Sequence, residues 1–116
     1  MSSTLLEDFP RLRWAVLETG SEWIVPAVWG STRRTGRDMS RYFREGQIYV
    51  SAEPDEDIPL VTSCLGEDCL VIASDMPHAD DFHHDRPEEA WRERGDLSEA
   101  LLTKLLRENA QRLYRF

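Results

Sequence analysis

Cysteine, histidine and basic residues are all scarce in this 116-residue sequence, and each shortage excludes a class of protein. The two cysteines, Cys64 and Cys69, are too few for a disulfide framework, and their spacing is not that of a zinc knuckle or a redox motif. We interpret them as reduced, partly buried thiols. Lysine and arginine total 14 against 22 acidic residues, which gives a net charge of −8. A surface this acidic repels phosphate backbones, so we expect no nucleic-acid partner.

Long apolar runs are absent as well. No stretch approaches the roughly 18 residues that a membrane-crossing helix needs, so we expect no membrane partner. Residues 1–4 have neither the basic region nor the apolar region of a secretory signal, which predicts a cytoplasmic protein. Hydrophobic residues nevertheless make up 41% of the chain and include four tryptophans. This composition is enough for one folded domain over residues 1–116.

Three apolar segments, each preceded by proline or glycine, are typical of β-strands: residues 12–17, 47–52 and 69–74. The third is a continuous apolar run, which indicates a strand covered on both faces. We therefore expect residues 70–74 to form the central, best-protected strand, flanked by the other two strands or by one of them at an edge.

Helical segments alternate with these strands. The last is the clearest, with Leu101, Leu102, Leu105, Leu106, Ala110 and Leu113 on one face. Its start at Asp96-x-x-Glu99 has the form of a capping box, and Ser98 competes for the cap. Alternating helices and strands predict right-handed crossovers and a parallel sheet, hence an α/β fold. The other predicted helices cover residues 3–9, 21–29, 38–43 and 57–65, with residues 75–95 read as a loop.

A carboxylate follows each predicted strand: Glu18, Glu53 and Asp75. Ligands of parallel α/β sheets bind beyond the carboxyl ends of the strands. Three acids at that edge can hold a hard cation or transfer protons. Acids just after strands also cap the following helix, and we favour that role for Glu18 and Glu53 taken singly.

The loop after Asp75 is crowded with metal-binding residue types: His78, Asp80, Asp81, His83, His84 and Asp85. Histidine and aspartate at this density can ligate a divalent metal. A solvated polar loop is the better interpretation of His83 and His84, and for His78 the two interpretations are balanced.

Residues 72–78, Ile-Ala-Ser-Asp-Met-Pro-His, resemble a "G/S-S-D-Y-P-H" segment of amidohydrolase-related metal enzymes, the branch that includes aminocarboxymuconate-semialdehyde decarboxylase. Residues 109–113, Asn-Ala-Gln-Arg-Leu, are similar to the end of that family's final helix, and residues 9–12 to its "F-P-x-L" strand start. The resemblance implies that Asp75 closes the eighth strand of a (β/α)₈ barrel and binds the catalytic metal, Zn²⁺ or a similar divalent ion. His78, Glu18 and Glu53 would then be pocket residues; Glu18 stands where many members have histidine.

A complete (β/α)₈ barrel takes roughly 250 residues, so three strand–helix units match barrel strands six to eight. The family's H-x-H metal pair is missing from this sequence. The resemblance therefore implies the C-terminal fragment of a metal-dependent hydrolase or decarboxylase that acts on a small carboxylated or cyclic substrate and is inactive alone. Three strands of an opened barrel would leave Trp14, Ile48 and Val71, or their neighbours, exposed to water.

The alternative hypothesis is a non-catalytic α/β module that self-associates, as a homo-oligomer, or complements a partner half-barrel. Its motivation is that Met1 immediately precedes a plausible helix, as the start of a deliberate half-barrel would. A flavodoxin-like domain is a third interpretation, for which three strands are too few.

Overall fold

The structure, a computed structural model, describes residues 4–74 and 87–116. Three strands form one parallel sheet in the order β1-β2-β3, so each strand pairs with the next along the chain. Within these ranges, none of the helices has the length and apolar character needed to cross a membrane. The elements are α1 (Leu5–Asp8), β1 (Trp14–Val16), α2 (Ile24–Thr35), α3 (Arg41–Arg44), β2 (Ile48–Ser51), α4 (Ile58–Leu65), β3 (Leu70–Val71), α5 (Pro87–Arg92), α6 (Glu99–Thr103), the π-helical turn π1 (Lys104–Glu108) and α7 (Asn109–Tyr114).

The sequential strand order identifies how the sheet is wound. Helices α2 and α3 connect β1 to β2, and α4 connects β2 to β3. A parallel sheet that always advances in one direction is the arrangement of a (β/α)₈ barrel, whereas a flavodoxin-like sheet reverses its direction. The predicted α/β class, with three parallel strands and flanking helices, is confirmed.

The main core lies on the sheet face that carries Ile48, Val50 and Leu70, all at most 2% exposed. Local interactions set the start of α4 and the end of α2. Asp57 accepts a hydrogen bond from the Leu60 N–H and so caps the start of α4. At the end of α2, Gly36 adopts the left-handed conformation (φ 69°) that only glycine adopts without cost. The other core side chains include Ile24, Val25, Val28, Phe43, Ile58, Val61, Leu65, Trp91, Leu101, Leu102 and Leu105.

The opposite sheet face carries Tyr49, Ser51 and Val71, and it is covered too. Tyr49 lines one cavity together with Gln111, Arg112 and Arg115, while Val71 lines another with Ala110 and Tyr114. Helix α7 therefore lies over this face. The expectation that Ile48 and Val71 would be exposed is wrong, since they are 2% and 3% exposed, whereas Trp14 on β1 is 46% exposed.

The prediction that residues 70–74 form the central strand is also wrong. The central strand is β2, and β3 is an edge strand of two residues. Leu70 and Val71 are nevertheless buried, because the C-terminal helices cover this edge. Asn109, itself fully buried, donates from Nδ2 to the Leu70 carbonyl at 2.7 Å. Burial on both faces thus comes from helices rather than from a strand on each side.

The C-terminal segment departs from the predictions at two places. Helix α5 occupies residues that were expected to be loop, and its Trp91 enters the core. Ser98, not Asp96, caps α6, because the Ser98 Oγ accepts from the Leu101 N–H. Asp96 instead pairs with Arg94 at 2.6 Å.

Candidate functional site

A cavity of about 340 Å³ lies beyond the carboxyl ends of β1 and β3. Ligands of parallel α/β sheets bind at this edge, and the volume is within the range of small-molecule pockets. Its wall combines aliphatic side chains with polar groups. The lining residues are Leu17, Glu18, Val71, Ile72, Ala73, Ser74, Ala110 and Tyr114.

Glu18 is held in this cavity wall by an uncommon backbone conformation. Its φ is +67°, in the left-handed region that costs a non-glycine residue roughly 1–2 kcal/mol. The Glu18 N–H donates to the Ser51 Oγ at 2.9 Å, which ties the residue after β1 to the last residue of β2. Ser51 is fully buried, so the anchor is fixed. Strain maintained at a strand end is typical of functional sites.

Glu53 stands just after β2 and is half-buried. Its backbone N–H donates to the Glu56 Oε2 at 2.9 Å. Glu53 does not line the cavity that contains Glu18. The structure therefore does not bring these two predicted pocket carboxylates together in that cavity.

Glu56, which the sequence analysis did not identify, joins two loops at this edge of the sheet. Besides the Glu53 N–H, its carboxylate accepts the Ser21 N–H at 2.5 Å, the Ser21 O–H at 2.7 Å and the Glu22 N–H at 2.9 Å. A further hydrogen bond has its donor on the other loop: the Asp57 N–H donates to the Glu22 Oε1. These bonds tie the β1–α2 loop to the β2–α4 loop.

Gly20 is required where these two loops meet. Its φ is +64°, and a Cβ at this position would lie 2.5 Å from the Glu56 Oε1. Both the backbone conformation and the close approach exclude a side chain. The Glu-x-Gly spacing of Glu18 and Gly20 was the signal in the sequence that this loop is tightly built.

Asp75 and His78 lie outside the described residues, as do His83 and His84. Ser74, the last residue described before that segment, lines the cavity. The predicted roles of Asp75 and His78 stay predictions.

The described residues do not by themselves fit a metal ion. In residues 4–74 and 87–116, no three histidine, cysteine or acidic side chains come together in a group that could hold one. Of the described residues that line the cavity, Glu18 alone carries a carboxylate. A catalytic zinc ion needs about three protein ligands, so the described residues alone do not form a catalytic zinc site.

Comparison with known proteins agrees with the fold. A crystal structure of an amidohydrolase from Mycobacterium avium subsp. paratuberculosis K-10 is similar to this chain, with a TM-score of 0.75 at 20% sequence identity. The match covers 95% of this chain and 30% of that amidohydrolase. The three sequential parallel strands thus have the arrangement of one part of a (β/α)₈ barrel. No curated protein matches the sequence. A family model described as amidohydrolase matches residues 2–116, and the chain therefore belongs to the amidohydrolase family.

Proposed function

We propose that this chain forms barrel strands six to eight of a metal-dependent amidohydrolase that hydrolyses or decarboxylates a small carboxylated or cyclic substrate. The observation that carries the proposal is the family match over residues 2–116, in a chain that spans 30% of the similar amidohydrolase. The sheet agrees, because its strands advance in one direction, as consecutive strands of a barrel do. Membership of the aminocarboxymuconate-semialdehyde decarboxylase branch is part of this proposal and rests on residues 72–78.

The cavity at the carboxyl edge supports a substrate pocket there. Its mixed wall, with aliphatic side chains and a single described carboxylate, suits a small molecule that has both apolar and polar groups. In this proposal Asp75 is the metal ligand, with Zn²⁺ as the expected ion, and His78 contributes to the pocket, whereas Glu53 lies outside the cavity and has no role in it. Glu18 is the pocket residue that the structure supports best, since it lines the cavity in a strained conformation.

The proposal includes inactivity of the chain alone. The sequence contains no H-x-H pair, and a single aspartate cannot hold a catalytic zinc ion. The test is turnover of a panel of small carboxylated and cyclic substrates, with and without a chelator. We expect no turnover by the purified chain, and chelator-sensitive turnover by the chain alone would contradict this part of the proposal.

A test of the proposed activity requires the other strands of the barrel. The chain is co-expressed with the mycobacterial amidohydrolase shortened by the region that this chain matches, and the co-purified complex is tested for bound zinc and turnover. Asp75→Asn should abolish both, while Asp96→Asn, a matched change of an aspartate paired with Arg94, should leave both intact. Equal zinc content in the Asp75→Asn complex would contradict the assigned ligand.

A second candidate function is a non-catalytic module that associates with itself or with a partner half-barrel. Strand β1 favours it, because β1 is an edge strand whose Trp14 and neighbouring Leu17 are 46% and 39% exposed. Unpaired edges of this kind invite pairing with another chain. Sedimentation of the purified chain over a range of concentrations tests this alternative. A monomer throughout, with no binding of an apolar dye, would exclude self-association.

A further inference from the structure

A second cavity, of about 390 Å³, lies at the opposite end of the sheet from Glu18. Its wall contains a residue within two positions of the start of each strand: Arg13 before β1, Gly46 before β2 and Asp68 before β3. This cavity is therefore at the amino ends of the strands. It is separate from the pocket on which the proposed function rests.

Four arginines line this cavity: Arg13, Arg44, Arg112 and Arg115. Such a concentration of positive charge is unexpected in a chain with a net charge of −8. Glu45 and Asp68 are the carboxylates of the lining. Asp68 forms ion pairs with Arg112 at 2.8 Å and Lys104 at 3.0 Å, and Arg44 forms an ion pair with Asp38. Among the described residues, Arg13 and Arg115 are therefore the lining arginines that are not in an ion pair.

Two hydrogen-bond donors in the wall have no partner among the described residues. Arg13 is half-buried, and its guanidinium makes no hydrogen bond or ion pair within residues 4–74 and 87–116. Tyr49 is 2% exposed, yet in the same part of the chain its hydroxyl makes no hydrogen bond. An anion that accepts from both donors would replace water there with charge-assisted hydrogen bonds. Both groups line the same space.

The protonation state of the Tyr49 phenol allows it to donate a hydrogen bond. Burial raises the pKa of the Tyr49 phenol, while Arg13 and Arg112 act in the opposite direction without cancelling the effect. The phenol is therefore protonated at neutral pH and has an O–H to donate. Gly46 leaves room for that hydroxyl, since a Cβ there would lie 3.2 Å from the Tyr49 Oη.

We propose that this cavity is a binding site for a small phosphate-bearing anion, held by the Arg13 guanidinium and the Tyr49 hydroxyl within the ring of arginines. Guanidinium groups match the oxygens of phosphate in paired hydrogen bonds. A phosphate group places up to two negative charges and three acceptor oxygens in one compact unit, which suits donors from several strands and a helix. None of the residues that line this cavity belongs to the proposed metal site.

The test is calorimetric titration of inorganic phosphate into the purified chain, with sodium chloride used to keep the ionic strength constant. We expect saturable binding with one phosphate per chain. Arg13→Gln should weaken it about tenfold or more, as expected for loss of a charge-assisted hydrogen bond. Arg33→Gln is the matched control, because Arg33 is exposed on α2 and lines neither cavity, and its affinity should stay within about twofold of wild type.

Tyr49→Phe provides a second readout that does not depend on the Arg13 variant folding. It keeps the buried ring and removes only the hydroxyl, and we expect affinity to fall about three- to tenfold. Succinate, titrated in the same way, tests whether the site prefers phosphate to carboxylate. Three outcomes would overturn the proposal: no binding beyond that of chloride, equal weakening by Arg13→Gln and Arg33→Gln, or tighter binding of succinate than of phosphate. Because these readouts need no turnover, they stand or fall independently of the amidohydrolase activity.

Discussion

Replacing Glu56 by glutamine is the sharpest test of how the carboxyl edge of the sheet is held. In the protein, each oxygen of the Glu56 carboxylate accepts two hydrogen bonds: Oε1 from the Ser21 and Glu22 N–H groups, and Oε2 from the Ser21 hydroxyl and the Glu53 N–H. The amide nitrogen of glutamine cannot accept. It is least disruptive in place of Oε2, because the Ser21 hydroxyl can then rotate and accept, and only the Glu53 N–H loses its partner.

The magnitude follows from these bonds. Hydrogen bonds to a charged group contribute about 1.5–3 kcal/mol each, and the half-exposed position of Glu56 puts them at the lower end. One bond is lost and the remaining ones lose their charge, so we expect Glu56→Gln to lower the free energy of unfolding by about 2 kcal/mol. In a domain of this size that corresponds to a fall in Tm of roughly 8 °C.

The assay is urea unfolding followed by tryptophan fluorescence, with calorimetry for the Tm. Glu93→Gln is the matched control, because Glu93 is exposed and its side chain makes no hydrogen bond in the described part of the chain. Its effect should be within about 0.5 kcal/mol. If Glu56→Gln is no more destabilising than Glu93→Gln, the Glu56 carboxylate does not hold the two loops together and the account of this edge is wrong.

Three further predictions concern the region around β3. Asn109→Ala should lower the free energy of unfolding by about 2–3 kcal/mol in urea melts, because the buried Leu70 carbonyl and the part-buried Glu67 carbonyl lose their donor; an unchanged midpoint would contradict this. Burial raises the pKa of the Cys69 thiol to about 12, so Ellman's reagent should modify Cys64 rapidly and Cys69 only on unfolding, and equal rates would refute the assigned burial. Burial raises the pKa of Asp68, but Lys104 and Arg112 outweigh it and hold that pKa below its usual value. The stabilisation is thus present above the unfolded pKa of about 4 and lost as pH falls through the folded pKa, so the Tm of Asp68→Asn should vary less with pH below about 4 than that of wild type.

Apolar runs and turn residues predicted the strands well, because both are local signals. The predicted segments 47–52 and 69–74 contain β2 and β3. The same signals could not give the position of β3 in the sheet. A continuous apolar run shows that a strand is buried, but not whether strands or helices cover it, and here helices cover the outer edge.

The burial of Asn109 and helix α5 were not predicted, although the sequence contains a signal for each. At about 100° per residue, Asn109 falls between Leu105 and Leu102 in the middle of the apolar face, so its burial could have been predicted. Residues 87–91 carry a proline followed by two glutamates at a helix start and then Trp91. Those residues are a helix signal that the surrounding polar loop obscured.

The Glu56 network could not have been predicted from the sequence. Glu56 and Ser21 are 35 residues apart, and their contact exists only because β1 and β2 pair in the observed register. An isolated glutamate in an acidic loop gives no indication of which distant N–H groups it will meet. The strained backbone of Glu18 likewise depends on its bond to Ser51 across the same two strands.

The π-helical turn π1 lets the C-terminal helix contain one extra residue without changing which side of α7 faces the sheet. A π turn contains about one residue more than an α-helical turn. Deleting one residue between Lys104 and Glu108 would therefore leave a regular helix in which Asn109 still faces the Leu70 carbonyl and Arg112 still faces Asp68. A further inserted residue that the helix did not absorb in this way would rotate α7 by about 100° and break both contacts. The contacts of α7 thus limit changes of length inside this helix, while the surface loops can vary in length at little cost.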